Sequence, residues 1–189
     1  MKKHFPLLAG ILLSIPLVTN AQIYTGHNKA KISLAGQQQA LEYESNSITS
    51  YLNMNSHSLN FYAKAYTFVM DRPDNTEKTL LINALQMNND NASVLEFTAQ
   101  LPQNFKVPTA GQTQKISING LMQLAGVRKS LQLPVEVRAD KNGDLSYTAS
   151  AVIDLNQWNG ELSAEIKTQT TGLMRLELTN APIHLINYR

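Results

Sequence analysis

The sequence predicts an all-β protein: one antiparallel β-barrel, closed or nearly closed, of about eight strands and with one short helix. Apolar residues recur at every second position over most of the chain, which is the period of a strand. Short turn sequences separate these runs. The chain has no cysteine and therefore no disulfide, so the fold must be stabilised by its core. A series of strands with short turns is a meander, and closure into a barrel removes its exposed edges.

The N-terminal segment is predicted to be a secretory signal peptide. Lys2 and Lys3 precede an apolar run over residues 5–18, and small residues follow up to Ala21. We expect cleavage after Ala21, so that residues 1–21 are removed and residues 22–189 form a single barrel domain. The mature protein would then be periplasmic or secreted, with no stable membrane anchor.

The charge balance argues against a nucleic-acid partner. The chain has 16 basic and 14 acidic residues, and two of the basic residues, Lys2 and Lys3, belong to the predicted signal peptide. The remainder is close to neutral, so there is no basic surplus to attract a polyanion.

Five runs show the clearest alternation and predict strands with one apolar face each. The Asn142-Gly143 pair supplies the positive φ of a tight hairpin, so strands 127–139 and 144–155 should pair antiparallel. Three shorter strands are predicted nearer the N-terminus, at residues 32–34, 40–43 and 48–52, with Asn46-Ser47 separating the last two. The five alternating runs are residues 59–65, 116–124, 131–137, 145–155 and 174–178.

The one short helix is predicted within residues 74–85. Leu81, Ala84 and Leu85 lie at helical spacing, and Asp74 with Glu77 has the spacing of a capping box. We expect this helix to cover an end or a seam of the sheet.

No pattern of catalytic or metal-binding residues is present in the sequence. It lacks the sequence motifs of a serine nucleophile, a zinc protease and a phosphate-binding loop. Paired carboxylates alternate with apolar residues or lie in turns, as solvated charges do. We therefore expect no catalytic residue, no metal, no cofactor and no enzymatic activity. The residues considered are the histidines His27, His57 and His184, and the pairs Glu42/Glu44, Glu161/Glu165 and Asp140/Asp144.

Small residues occupy the middle of two predicted apolar faces. Ala149 and Ala151 lie on one of them, and Ala63 and Ala65 on the other. A barrel of about eight strands is wide enough either to be filled by side chains or to hold one slim ligand, and small residues favour the ligand. Bulky neighbours are the alternative filling, and the pattern alone leaves both possibilities open. These neighbours are Tyr62, Tyr66, Phe68 and Met122.

Residues 120–129 and 131–137 resemble the YceI-like family. That family has a strand of the type G-x-L-T-L-H-G-V-T-K, a basic turn and a strand of the type V-x-x-P-V-x-V. Here the corresponding stretches are GLMQLAGVRK and LQLPVEV, followed by NGDL at 142–145 and AVIDL at 151–155.

A looser similarity to the same family covers most of residues 30–180, including the stretches 45–53 and 59–63. The chain departs from the family pattern at two positions of the basic corner. Ala125 stands where the family has a histidine, and Arg128 stands where it has a threonine.

The resemblance implies a lipocalin-like barrel in the periplasm that binds the tail of a polyisoprenoid or similar amphiphile in its lumen, without catalysis. The alternative is a ligand-free barrel, filled by its own side chains, that acts as an envelope- or stress-related protein-interaction module. A homodimer is possible on general grounds only. The candidate lumen residues are Phe61, Ala63, Ile118, Met122, Tyr147, Ala149, Ala151, Ile153, Leu176 and Leu178.

Overall fold

The computed structural model describes residues 22–37, 39–70, 94–124, 126–159 and 168–186. Several of the sequence predictions lie outside these residues. They are the signal peptide at 1–21, the helix within 74–85, the position Ala125 and the carboxylate pair Glu161/Glu165.

The described residues form a closed barrel of eight antiparallel strands, which confirms the predicted fold class. Each strand pairs with the next one in the sequence, and the last pairs with the first, so the barrel is a simple meander. Each of these eight strands therefore has a hydrogen-bonded neighbour on both sides, as closure requires. The strands are β1 (Ile23–Gly36), β2 (Leu41–Asn53), β3 (Ser58–Lys64), β4 (Val94–Gln100), β5 (Thr113–Leu124), β6 (Val127–Ala139), β7 (Leu145–Asp154) and β8 (Thr170–Leu185).

The period-two pattern assigns each strand an inner and an outer face. In β8, Met174 and Leu176 are buried inside the barrel, whereas Arg175 and Glu177 between and beyond them lie on the outside. Some of these outer charges form ion pairs. Lys31 of β1 pairs with Glu42 of β2, and within β8 the distance between Arg175 Nη1 and Glu177 Oε1 is 3.5 Å. Because these ion pairs are solvated, the buried apolar face rather than the outer charges stabilises the barrel.

The predicted hairpin between β6 and β7 is confirmed. The Asp140 carboxylate accepts hydrogen bonds from the backbone amides of Asn142 (2.7 Å) and Asp144 (2.9 Å), and Gly143 has φ +88°. The turn therefore combines an aspartate that satisfies free amides with a glycine in the left-handed region. β6 and β7 pair from Ala139 with Leu145 onwards.

One prediction near the N-terminus was wrong. Residues 40–43 and 48–52 were expected to be separate strands divided at Asn46-Ser47, but both belong to the single strand β2. The pairing of β1 with β2 instead shifts between Asn28 and Ala30, opposite these two residues. An extra residue is accommodated as a β-bulge, which changes the face of the following residues without ending the strand.

The end of β7 also differs from the prediction. The alternation continues to Leu155, but the strand ends at Asp154 and Leu155 begins a short helix, α1 (Leu155–Asn159). Asp154 Oδ1 accepts the Asn156 amide at 3.0 Å, which turns the chain out of the strand. Leu155 is nevertheless buried, so the alternation predicted the burial of this residue correctly although the strand had already ended.

Helix α1 is held against the β5–β6 hairpin. The indole nitrogen of Trp158 donates to the Val127 carbonyl at 3.3 Å, and the Lys129 ammonium donates to the Gln157 carbonyl. Lys129 also lies 6.0 Å from the centre of the Trp158 ring. No helix in the described part of the chain has the length and apolar character needed to span a bilayer.

Candidate ligand-binding lumen

All ten predicted lumen residues lie on the inner face of the barrel. They come from β3, β5, β7 and β8, and none has more than 6% of its surface exposed. The structure thus brings them into one apolar core. Contact of these side chains with a ligand stays a prediction. The ten are Phe61, Ala63, Ile118, Met122, Tyr147, Ala149, Ala151, Ile153, Leu176 and Leu178.

Two of the four bulky residues considered as alternative filling lie outside the barrel. Tyr62 is 41% exposed on the outer face of β3, and Tyr66 is 62% exposed in the single 3₁₀ turn that follows this strand. Phe68 and Met122 are buried inside. Tyr62 occupies an even position of a strand whose odd positions face the core, so its ring points to solvent.

The inner face also contains aromatic residues that the sequence reasoning missed. Phe97 of β4 is completely buried and stacks on Phe61, with 5.3 Å between the ring centres. Gly120 of β5 makes room for this ring, because a Cβ atom there would lie 2.5 Å from Phe97 Cζ. The signal was the short alternation Leu95-Phe97-Ala99, which gives a strand of only seven residues.

Three buried polar side chains interrupt the apolar inner face. The Tyr147 hydroxyl lies 2.5 Å from Ser50 Oγ, and the Asn28 amide lies 2.9 Å from the same oxygen. All three residues are at most 2% exposed. Hydrogen bonding offsets the free energy that burial of these groups would otherwise cost. The sequence reasoning placed Tyr147 in the lumen but had no means of pairing it with Ser50.

The environment of Tyr147 predicts a loss of stability at alkaline pH. Burial raises the pKa of the Tyr147 phenol above its ordinary value of 10.0. Above about pH 10 the unfolded chain releases this proton while the folded protein retains it. The contribution of the buried, protonated Tyr147 phenol to the free energy of unfolding is therefore fully present below pH 10 and is lost as pH rises further. The free energy of unfolding, measured in urea between pH 8 and pH 11, should fall less steeply with pH for Tyr147→Phe than for the wild type. Equal slopes for the two proteins would contradict this prediction.

The histidines and carboxylates form no assembled site in the described residues. His27 and His184 are exposed on outer faces, and His57 is half-buried in the β2–β3 turn. Glu42 and Glu44 are also exposed on the outer face. Within the described ranges no three histidine or carboxylate side chains come close enough together to hold a metal ion.

No protein-family model matches the sequence, and no curated protein matches it either. Comparison of the structure with solved structures finds similar folds. A polyisoprenoid-binding domain from Saccharophagus degradans, implicated in plant cell wall breakdown, has a TM-score of 0.66 at 9% identity, covering 87% of this chain and 98% of that one. Burkholderia cenocepacia BcnA has a TM-score of 0.57 at 11% identity, covering 82% and 96%.

These similarities concern the fold, because both identities are low. The matched regions include almost the whole of each compared protein, so the likeness extends to the complete barrel rather than to a few strands. The chain therefore has the barrel fold of a known polyisoprenoid-binding domain, and its resemblance to the YceI-like family is confirmed at the level of the fold.

Proposed function

We propose that this protein binds a polyisoprenoid or similar amphiphilic lipid in the barrel lumen and performs no catalysis on it. The observation that carries the proposal is the composition of the inner face, which is apolar and has alanine at inward positions of most strands. Alanine side chains leave more of the narrow interior to a ligand than larger residues would. The buried alanines on the strands are Ala30, Ala63, Ala99, Ala139, Ala149, Ala151 and Ala181.

The energetics favour a ligand with a long apolar tail. Removing apolar surface from water stabilises a complex by about 25 cal/mol per Å². Such a ligand would need few polar contacts, which agrees with an inner face on which only a few polar side chains are buried.

The solved structures support this class of ligand. The domain from Saccharophagus degradans is described as polyisoprenoid-binding, and it shares the complete barrel. The predicted signal peptide supports export to the periplasm or beyond. In that compartment the barrel would take up the lipid as a soluble carrier or receptor, without a membrane anchor of its own.

The test is to identify what the protein holds. We expect an amphiphile to be found by organic extraction and mass spectrometry after gentle purification from a Gram-negative host. Ala151→Trp places an indole on the inner face of β7, and we expect it to lower the amount of bound lipid at least ten-fold. Ala149→Trp should act in the same way.

Val152→Trp is the matched control, because Val152 is the next residue of β7 and is 55% exposed on the outer face. This variant should retain the wild-type amount of lipid, and circular dichroism would establish that all the variants are folded. A folded Ala151→Trp variant that keeps its lipid would contradict the lumen as the binding site. If the wild type neither carries nor takes up an added isoprenoid, the ligand-free barrel is the better description.

A further inference from the structure

The hydrogen bond between Tyr147 and Ser50 crosses the interior of the barrel. Tyr147 belongs to β7 and Ser50 to β2, and these strands are separated by β8 and β1. Strands three places apart in an eight-stranded barrel lie on nearly opposite walls. With 2.5 Å between the two hydroxyl oxygens, the pair forms a polar bar through the lumen, which we call the hydroxyl bar.

Small residues on the intervening strands leave space for this bar. Ala181 of β8 pairs with Tyr147, and Gly26 of β1 pairs with Ser50. Neither projects far into the interior, so the Tyr147 ring can extend from β7 towards β2. The position of the ring is therefore set by the wall of the barrel and does not depend on a bound molecule.

Asn28 fixes the direction of the hydrogen bonds. The pairing of β1 with β8 is interrupted between Thr25 and Lys31, and the Asn28 side chain lies in this gap. Its amide nitrogen donates to the Pro182 carbonyl at 2.8 Å, because a carbonyl oxygen can only accept. The amide oxygen must then face Ser50, and it accepts from the Ser50 hydroxyl at 2.9 Å.

This orientation determines what Tyr147 can offer to a ligand. Since Ser50 uses its only proton on Asn28, the Ser50 oxygen must accept from the Tyr147 hydroxyl. The phenolic proton is then used, while the phenolic oxygen keeps a free lone pair with no other partner among the described residues. Tyr147 can thus accept a hydrogen bond from a ligand but has no proton left to donate.

The Tyr147–Ser50 bond is not needed by the backbone. Asn28 bridges the interrupted seam by donating to the Pro182 carbonyl, and Ser50 donates to the Asn28 amide oxygen. Tyr147 donates only to Ser50, so a phenylalanine at this position would occupy similar space and leave the bond between Ser50 and Asn28 intact. A structural role in closing the seam therefore accounts for Asn28 and Ser50 but not for the Tyr147 hydroxyl.

We propose that the hydroxyl bar recognises a terminal hydroxyl group of the lipid, so that the protein selects alcohols over carbonyl or ether analogues. This inference rests on the proposed function. A ligand hydroxyl donates to the free lone pair of Tyr147. A ligand carbonyl would require the Tyr147 proton, and taking it would break the bond to Ser50 and leave two oxygens in contact.

The experiment titrates the protein with matched ligands and measures binding by the fluorescence of Trp158, the single tryptophan of the chain. The probes are geranylgeraniol, its methyl ether and the corresponding aldehyde. We expect the wild type to bind the alcohol about five- to ten-fold more tightly than the ether or the aldehyde, as one hydrogen bond allows. Tyr147→Phe should bind all three alike.

Ser50→Ala provides an independent test of direction. It frees the phenolic proton, so the aldehyde and the ether should both gain affinity relative to the alcohol in this variant. Tyr62→Phe, which removes a hydroxyl from the outer face, should behave as the wild type does.

The possible results separate this inference from the proposed function. Equal binding of alcohol and ether by the wild type would overturn selection by the hydroxyl bar while leaving lipid binding intact. A preference for the alcohol that survives in folded Tyr147→Phe would also overturn it. Failure of all three probes to bind would overturn the proposed function and this inference together.

Discussion

Replacing Phe97 with alanine is expected to lower the free energy of unfolding by about 3–5 kcal/mol. Phe97 has no exposed surface, and its ring stacks on Phe61 at a centre-to-centre distance of 5.3 Å. Gly120 on the neighbouring strand β5 has no side chain that could move into the space left by the ring. The substitution therefore loses the burial of the ring and leaves a cavity that the surrounding strands cannot readily fill.

Urea unfolding followed by Trp158 fluorescence measures this loss. Thr98→Ala is the matched control, since Thr98 is the next residue of β4 and is exposed on the outer face. Its effect should lie within about 0.5 kcal/mol of zero. A Phe97→Ala variant as stable as Thr98→Ala would mean that the Phe61–Phe97 stack is not part of a packed core.

The fold could be predicted from the sequence because alternation determines the face of each residue. In β7, and in β8 as far as Leu178, the odd and even positions separate into inner and outer residues as the pattern requires. The turn at Asn142-Gly143 fixes the register of β6 and β7. Alternation gave the wrong structure at Asn46-Ser47 because a bulge and a turn both interrupt a period of two. Alternation also failed to predict the end of β7. Leu155 is buried as the pattern requires, but it is the first residue of helix α1 and not the last residue of the strand.

The polar part of the site was beyond the reach of the sequence for a different reason. Alternation states that Ser50 and Tyr147 point inwards, but it says nothing about their height along the barrel axis. That height depends on the bulge opposite Asn28 and on the shifted pairing of β7 with β8 after Tyr147. Residues 97 positions apart meet only once both irregularities are known. The apolar lumen residues needed no such information, because any inward position contributes to an apolar face.

The other large effect is expected at Gly26, where β1 passes close to β8. A Cβ atom on Gly26 would lie 1.9 Å from the Pro182 carbonyl oxygen and 3.0 Å from its carbon. Both are backbone atoms, so rotation of a side chain cannot relieve the contact. Gly26→Ala should push β1 away from β8 and weaken the hydrogen bond from Asn28 to Pro182. We expect a loss of about 3 kcal/mol in the free energy of unfolding, at the upper end of what overpacking costs.

Gly111→Ala separates this steric effect from the general effect of replacing a glycine. Gly111 has φ +77° and open space around its Cα, so alanine there meets no atom within 4 Å and costs only the strain of a left-handed conformation, about 1–2 kcal/mol. Gly26→Ala should be the more destabilising of the two in urea unfolding. It should also disturb the hydroxyl bar, because Ser50 pairs directly with Gly26. If Gly26→Ala is no less stable than Gly111→Ala, then β1 and β8 do not approach each other this closely, and Asn28 is not needed to bridge them.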